Sequence, residues 1–388
     1  MDDLIRMVKS GCGHDGFLQW LHILVLMDDT VLLATTRYNM LRKISLLQAY
    51  CREYGMKINQ SKTKFFAIHG KGEDLDPMVI DELVVEPCDM YIYLGSPFTS
   101  DGSTSSAVRA HANSKMPHIL KFVSFIRKNS DIPFNIKKRV FDAALMSTLL
   151  YGCESWVGAD LKPMTKLYNW GLKTLLGVRR STCNDVCYVE SGYPPLCDLV
   201  KYKQHKFFHT MWRDRAAYDD DPLSFVINMV TGSNTCTARS VREFLDNDIE
   251  YISVAMQRVI ENIQNSDSSR RITYRDINPD FSIHSVYREK HVINETHRLA
   301  FTQFRVSGHS LACETGRWNR RGRGRLPLDQ RLCACGQIQT ERHVTQVCAL
   351  SQSIREKYNF VELETLFSNT FTAEITCKII YEILSIYP

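Results

Sequence analysis

The sequence predicts an α+β protein: a short antiparallel sheet with helices in the first hundred residues, then a mainly α-helical chain with a small metal-binding loop near its end. Three observations predict it. Apolar, β-branched runs of strand length ("HILVL", "TVLLAT", "MYIYLGSPF") crowd into the first hundred residues. After Ser103, apolar residues recur at helical spacing, as in "IKKRVFDAALMSTLLYGCESW" and "MTKLYNWGLKTLLGV". Near the end, "RLCACGQIQTERHVTQVC" gathers Cys333, Cys335, His343 and Cys348.

Composition bounds the classes. The chain has 388 residues, enough for two or three domains, and is 44% hydrophobic and 23% charged, as ordinary globular proteins are. Its start, "MDDLIRMVKSGCG", lacks the basic and apolar regions of a secretory signal. No apolar run approaches the roughly 20 residues that cross a bilayer. A soluble intracellular protein, nuclear or cytoplasmic, with no membrane partner is expected. Thirteen cysteines, an odd number without a dense framework, read as buried free thiols rather than a disulfide scaffold. A net charge of +5 is too small to establish a nucleic-acid partner. Its distribution says more: "RWNRRGRGR" places Arg317, Arg320, Arg321, Arg323 and Arg325 around Trp318. Such a run suits phosphate contact, and equally a solvated Arg-Gly loop.

In chain order, Asp2 to Lys9 suits a helix, and Gly11, Gly13 and Gly16 mark a turn. "HILVL" and "TVLLAT" flank Met27-Asp28-Asp29 as a hairpin. Met40, Ile44, Leu47 and Tyr50 give a helix over Asn39–Tyr54 with Gly55 as its C′ residue. "KTKFFAIHG" and "MYIYLGSPF" each read as one strand. Helices then follow one another, broken by Pro194-Pro195 before a helix from Leu196 to Arg213 and by the acidic "AYDDDP" at 217–222. Ser240, with Glu243 three residues later, predicts a capping box opening the next helix. Residues 265–271, "NSDSSRR", read as a polar linker, and a helix is expected near His291 to Phe304.

Two adjacent carboxylates between buried strands have two readings. An Asp pair in a hairpin is often plain turn chemistry. Held rigidly in one polar cleft, the pair would repel unless divalent cations neutralised it. Two Mg²⁺ ions roughly 3.5–4 Å apart are what phosphoryl-transfer polymerases use.

The order of features that follows resembles the palm of reverse transcriptases, specifically those of non-LTR (LINE-type) retrotransposons. "LMDDTVLLA" is similar to the family's catalytic aspartate hairpin, motif C. "YCREYGMKINQSKTKFF" is similar to motif D, with Asn59, Lys62 and Thr63, and "YIYLGSPFTSDG" to motif E, the primer grip, carried by Tyr93, Leu94 and Gly95. "IKKRVFDAALMSTLLYGCESW" resembles the thumb helix, with Tyr151, Gly152, Glu154 and Trp156 as its terminal signature. The resemblance implies that Asp28 binds catalytic Mg²⁺, with Asp29 as partner, and that Lys62 protonates the leaving pyrophosphate; a solvated strand-end lysine is the alternative. Gly95 would let the primer backbone approach. Met27 departs from the alanine more usual there.

A polymerase of this kind needs a further aspartate from a preceding strand, and fingers to hold the nucleotide. Asp2, Asp3 and Asp15 precede the hairpin, none in an apolar strand, and the opening residues resemble the connector between motifs B and C. The resemblance therefore implies the C-terminal part of such an enzyme, truncated ahead of motif C, with a vestigial Mg²⁺ site. It would be inactive alone and would call for an upstream reverse transcriptase segment.

Cys333, Cys335, His343 and Cys348 suit a closed tetrahedral Zn²⁺ site, although the opening Cys-x-Cys is shorter than the common Cys-x-x-Cys. The same family carries a C-terminal Cys-Cys-His-Cys knuckle after an arginine-containing segment, which "SGHSLACETGRWNRRGRGRLPLDQRLCACG" resembles. Cys313 is a weaker candidate ligand. A structural zinc would present the arginines to RNA or DNA template-primer, with Trp318 available for base stacking or for packing.

The expected parts are a partial palm at 1–103, a thumb-like helical domain at 104–216 and a helical connector at 217–316. The arginine segment and knuckle take 317–350, and a helical tail 351–388. Three functions fit: a catalytically crippled reverse transcriptase fragment, a retained nucleic-acid-binding protein with a structural palm remnant, or a helical interaction protein.

Overall fold

The computed structural model describes residues 2–19, 21–214, 228–246, 250–288, 293–317, 324–368 and 370–387. The α+β class holds: small sheets near the start, helices thereafter. The chain divides into two compact units. One comprises Met1–His111, Trp156–Asp160 and Phe208–Leu245; the other comprises Ala112–Ser155, Leu161–Phe207 and Asp246–Pro388. The acidic break at 217–222 lies outside the described residues.

In the first unit, helix α1 (Asp2–Gly11) buries Leu4 and Val8, one turn apart. Strands β1 (Ile23–Leu26) and β2 (Asp29–Leu32) form an antiparallel hairpin running from Ile23↔Leu32 to Leu26↔Asp29. Helix α2 (Arg37–Glu53) starts where the Thr36 hydroxyl accepts the Asn39 N–H at 3.2 Å. It carries two apolar faces. Tyr50, Leu46 and Leu47 join Leu4, Val8, Ile23, Val25 and Leu32 in one cluster. Ile44, Met40 and Leu41 join Met78, Leu83 and Val85 in another. The hairpin is thus seated on helices through one face, while Leu24 and Leu26 on the other stay exposed.

Two strand expectations change. The β structure is three small sheets rather than one antiparallel sheet: β1-β2, then β3 (Lys64–Phe65), β4 (Met78–Ile80) and β5 (Leu83–Pro87) in the order β3-β5-β4, then β6 (Met90–Tyr93) with β7 (Ser96–Thr99). The β3-β5 pair is parallel and ends at Phe65↔Pro87. Proline has no N–H to continue a ladder, so "KTKFFAIHG" keeps only two strand residues. "MYIYLGSPF" is a hairpin, not a strand, because Leu94 and Gly95 both take positive φ (48° and 79°) and close a two-residue turn between Tyr93 and Ser96.

Helix α3 (Thr104–Lys128) contributes residues to both units. In the second unit, α4 (Phe134–Val140) runs through a π-helical stretch, Phe141–Met146, into α5 (Ser147–Leu149). Ser147 and Thr148 hydroxyls donate back to the Ala143 and Ala144 carbonyls there. Helix α6 (Lys162–Leu176) ends on left-handed Gly177, φ +75°. Helices α7 (Asn184–Ser191) and α8 (Leu196–Asp214) follow, and α7 packs against the helix Tyr251–Gln264.

Ser240 is not a cap. It lies inside the helix Cys236–Asp246, whose start is taken by Thr235, its hydroxyl accepting the Ala238 N–H at 3.1 Å. The polar linker is also shorter than expected, since a helix begins at Ser269. The helix expected near His291 is described from Glu295 to Arg305; Asn294 caps it, accepting the N–H groups of Thr296 (3.0 Å) and His297 (3.3 Å). Residues 289–292 lie outside the described set. Among the described residues no helix is long and apolar enough to cross a membrane.

Buried charge organises this unit. The Glu190 carboxylate, 0% exposed, accepts from Arg305 Nε at 2.7 Å, Tyr287 at 2.8 Å and Tyr274 at 2.9 Å. Glu295 accepts from Lys137 Nζ at 2.8 Å and from Arg298 at 2.7 Å. Thr302 meets both groups, 3.0 Å from Arg298 and 2.8 Å from the Tyr287 hydroxyl. Burial, and then the Glu190 charge, push Tyr274 and Tyr287 well above the ordinary tyrosine range, so both remain donors. Glu190→Gln leaves Arg305 charged and buried without its counter-ion. The expected loss is about 3–5 kcal/mol of stability by chemical denaturation. A loss under about 1 kcal/mol would show that the pair does not organise the unit.

Candidate functional sites

The aspartate hairpin turns in two residues, Met27 and Asp28, between the paired Leu26 and Asp29. Met27 carries the positive φ, 55°, a conformation glycine adopts freely and methionine does not. The turn points both carboxyl-bearing residues away from the apolar clusters, and Asp28 and Asp29 are exposed.

The base of the hairpin is held by a residue that sequence reasoning set aside. Asp15 is 1% exposed and accepts the Thr35 N–H at 3.1 Å, the Asn39 side-chain amide at 2.8 Å, the Thr35 hydroxyl and the Lys43 ammonium. Lys43, 0% exposed, also donates to the Leu33 carbonyl. The chain just after β2 and the first turns of α2 are thereby tied to one carboxylate. Burial alone would raise Asp15, but Lys43, Thr35 and Asn39 hold it far below the usual carboxylate range. Glycine-rich surroundings ("GCGHDG") gave the sequence no sign of this burial.

The second hairpin carries Tyr93, whose phenol is pushed upward by burial and then by the Asp29 charge. On the same face of β6, the Tyr91 hydroxyl donates to the Lys62 carbonyl at 3.3 Å. Lys62 itself is exposed, following a turn in which its N–H reaches Asn59 O at 3.1 Å. Tyr91 and the Lys62 backbone thus meet at the hairpin whose turn is Leu94-Gly95. The carboxylates remain two: among the described residues no third aspartate, glutamate, histidine or cysteine converges on them. That donor set is too small for a pair of Mg²⁺ ions. Of the thumb-like signature, Tyr151 is half exposed and Gly152 has φ +69°. Glu154 lies in a single turn, Cys153–Ser155, and Trp156 is buried with its ring 5.1 Å from that of His111.

The cysteine–histidine loop does converge. The donor atoms of Cys333, Cys335, His343 and Cys348 all lie within 4.8 Å of one another. Cys333 and Cys348 sulfurs are 3.8 Å apart, and Cys335 Sγ is 3.1 Å from His343 Nε2. The first distance equals the edge of a tetrahedron with Zn–S bonds of about 2.3 Å, roughly 3.8 Å. The short Cys-x-Cys is accommodated by a tight turn: Gly336 takes φ +86°, its N–H reaches Cys333 O at 2.9 Å, and the Cys333 N–H reaches Gln337 O at 2.7 Å. Burial, and then Arg355, lower His343, which is therefore neutral at pH 7. Burial opposes ionisation of both Cys333 and Cys348; Cys333 stays above the usual thiol range, whereas the nearby Tyr387 hydroxyl, the Leu350 backbone and the neighbouring cysteines bring Cys348 below it. A neutral imidazole and an easily ionised thiol are what a zinc ligand set requires. Cys313 is not part of this loop; it sits with His309 and Glu341.

Of the arginine segment, Trp318, Arg320, Arg321 and Arg323 lie outside the described residues. Arg325 is exposed. Arg317 is engaged by the fold: its Nε donates to Cys313 O at 3.0 Å, it pairs with Glu314 at 3.0 Å, and it reaches the Ser269 hydroxyl.

Residues 1–100 match the sequence model of the reverse transcriptase (RNA-dependent DNA polymerase) family. This segment, with both hairpins, is reverse-transcriptase related; residues 101–388 lie beyond the match. No curated protein and no solved structure matches the chain.

The Asp15 pair has a pH signature. A carboxyl held below its unfolded value contributes stability that is complete above about pH 4–5 and is lost progressively as the pH falls below that range towards the depressed folded value. Urea unfolding of the chain and of Asp15→Asn should differ most at pH 7, and the gap should narrow by pH 3. A constant gap would mean that the Asp15 charge does not hold the hairpin base.

Proposed function

We propose that residues 1–103 are the late part of a LINE-type reverse transcriptase palm, that 104–216 is thumb-like, and that the helical connector and zinc knuckle, with the arginine segment, hold RNA or DNA. Asp28 and Asp29 are the motif C carboxylates in this reading, Lys62 the motif D lysine, and Tyr93, Leu94 and Gly95 the primer grip. The observation that carries it is the aspartate hairpin: Leu26 pairs with Asp29 across a two-residue turn that leaves Asp28 and Asp29 exposed, and a second two-residue hairpin follows at Leu94-Gly95 in the order the family's motifs C and E take. The family match over residues 1–100 supports the same assignment.

This chain by itself does not polymerise. Two exposed carboxylates do not complete a two-metal site, and losing charge stabilisation and substrate alignment costs several kcal/mol each in barrier. Purified protein in a primer-extension assay with Mg²⁺ or Mn²⁺ is expected to give no template-dependent incorporation. Incorporation that disappears in Asp28→Ala would overturn this.

A second reading, a nucleic-acid-binding protein whose palm serves only as scaffold, is favoured by the knuckle, whose donor geometry is complete without the aspartates. Cys333, Cys335, His343 and Cys348 would hold one Zn²⁺, which fixes the loop beside Arg317 and Arg325. Both readings predict single-stranded RNA binding that weakens steeply with salt. Cys333→Ser should lose one equivalent of zinc by mass spectrometry and weaken that binding. Salt-independent binding, or none, would leave a helical interaction protein as the better account.

A further inference from the structure

Beside the knuckle lies a second group of donors. His309, Cys313 and Glu341 come from the turn after the helix Glu295–Arg305, from the short helix Ala312–Thr315 and from the segment leading to His343. Their exposures are 1%, 4% and 7%, and one donor atom from each lies within 4.8 Å of the others. Glu341 uses both oxygens. Oε1 is 3.0 Å from His309 Nε2 and 3.3 Å from the Ser307 hydroxyl, and Oε2 is 3.5 Å from Cys313 Sγ.

Hydrogen bonding leaves this group incompletely satisfied. Glu341 has no lysine or arginine partner, and its one candidate counter-ion, His309, pairs with it only if protonated. His309 Nδ1 is buried with no partner at all, whereas buried polar atoms nearly always have one. Nitrogen, sulfur and carboxylate oxygen together are the donor set that borderline divalent ions take. A dication bound by a thiolate, a carboxylate and a neutral imidazole leaves no net charge inside the protein. Binding would release the Cys313 thiol proton to solvent, and the oxygen of the Ser307 hydroxyl or of a water would supply a fourth ligand.

The order of the donors along the chain adds a reason. His309 and Cys313 precede Cys333 and Cys335, and Glu341 precedes His343 and Cys348. The two sets interleave, so two ions would staple one 40-residue segment at alternating points (309 to 348). Small segments with little core of their own gain most from such closure.

We propose that His309, Cys313 and Glu341 form a second divalent-metal site, of Zn²⁺ type, distinct from the Cys333–Cys335–His343–Cys348 knuckle. It does not depend on the polymerase reading or on the knuckle holding zinc.

The test is metal stoichiometry on the full chain, loaded with Zn²⁺, freed of excess by gel filtration and measured by mass spectrometry. Two equivalents are expected. Cys333→Ser should retain one, Cys313→Ser should retain one, and the double variant none. Should the Cys313 variant fail to fold, Co²⁺ titration of the unaltered chain gives the answer without it. Two bound ions are expected, one with the intense sulfur-to-cobalt absorption of three thiolates and one with that of a single thiolate. A single equivalent of either metal, lost in Cys333→Ser, overturns the second site; so does a Cys313→Ser chain that keeps two. One equivalent kept by Cys333→Ser and lost by Cys313→Ser would instead remove the knuckle and leave this site standing.

Discussion

A carboxylate taken out of water must be met by donors, and that requirement fixes the packing of both units. In the first, Asp15 gathers Thr35, Asn39 and Lys43. In the second, Glu190 gathers Arg305, Tyr274 and Tyr287, and Glu295 gathers Lys137 and Arg298. Apolar burial alone would let helices slide and rotate with small losses. A buried ion with three or four directional partners does not slide, because each lost bond exposes the full desolvation cost of the charge. The apolar clusters supply the driving force, and the buried ions choose among the ways of satisfying it.

That choice bears on the candidate site. The aspartate hairpin has four residues per strand and one buried face, too little to hold its own position. Asp15 and Lys43 fix the chain where β2 passes into α2, so the turn at Met27-Asp28 projects from a rigid base. The turn itself holds an L-residue at φ 55°, and the neighbouring hairpin does the same at Leu94, φ 48°. Each such residue costs about 1–2 kcal/mol where glycine would cost little. Both strained positions flank residues of the proposed site, Asp28 and Gly95, and at the first the apolar cluster with α1 and α2 offsets that cost.

Periodic and covalently local features were legible in the sequence. The spacing of Met40, Ile44, Leu47 and Tyr50 showed α2, the runs around Met27-Asp28-Asp29 showed the hairpin, and the Cys/His spacing showed a cluster of convergent donors. What escaped depends on partners far along the chain. Asp15 and Lys43 are 28 residues apart, Glu190 and Arg305 are 115, and neither pair leaves a local pattern. Ser240 misled because Thr235, five residues earlier, offered the same cap chemistry and took the helix start. "MYIYLGSPF" misled because apolar character continues through its turn, and only Gly95 marked it.

The ion pairs also change how the charge should be read. A net +5 treats every lysine and arginine as available to a phosphate backbone. Lys43, Lys137, Arg298 and Arg305 are buried against carboxylates, and Arg317 is spent on Cys313, Glu314 and Ser269. Those cations are unavailable to a nucleic acid, whereas an exposed one such as Arg325 is free to release counter-ions. Under the proposed function, affinity for RNA or DNA would rest on the placement of a few surface arginines and lysines. Zinc held by Cys333, Cys335, His343 and Cys348 would matter for that reason: it would order the chain that follows Arg325 without adding to the total charge.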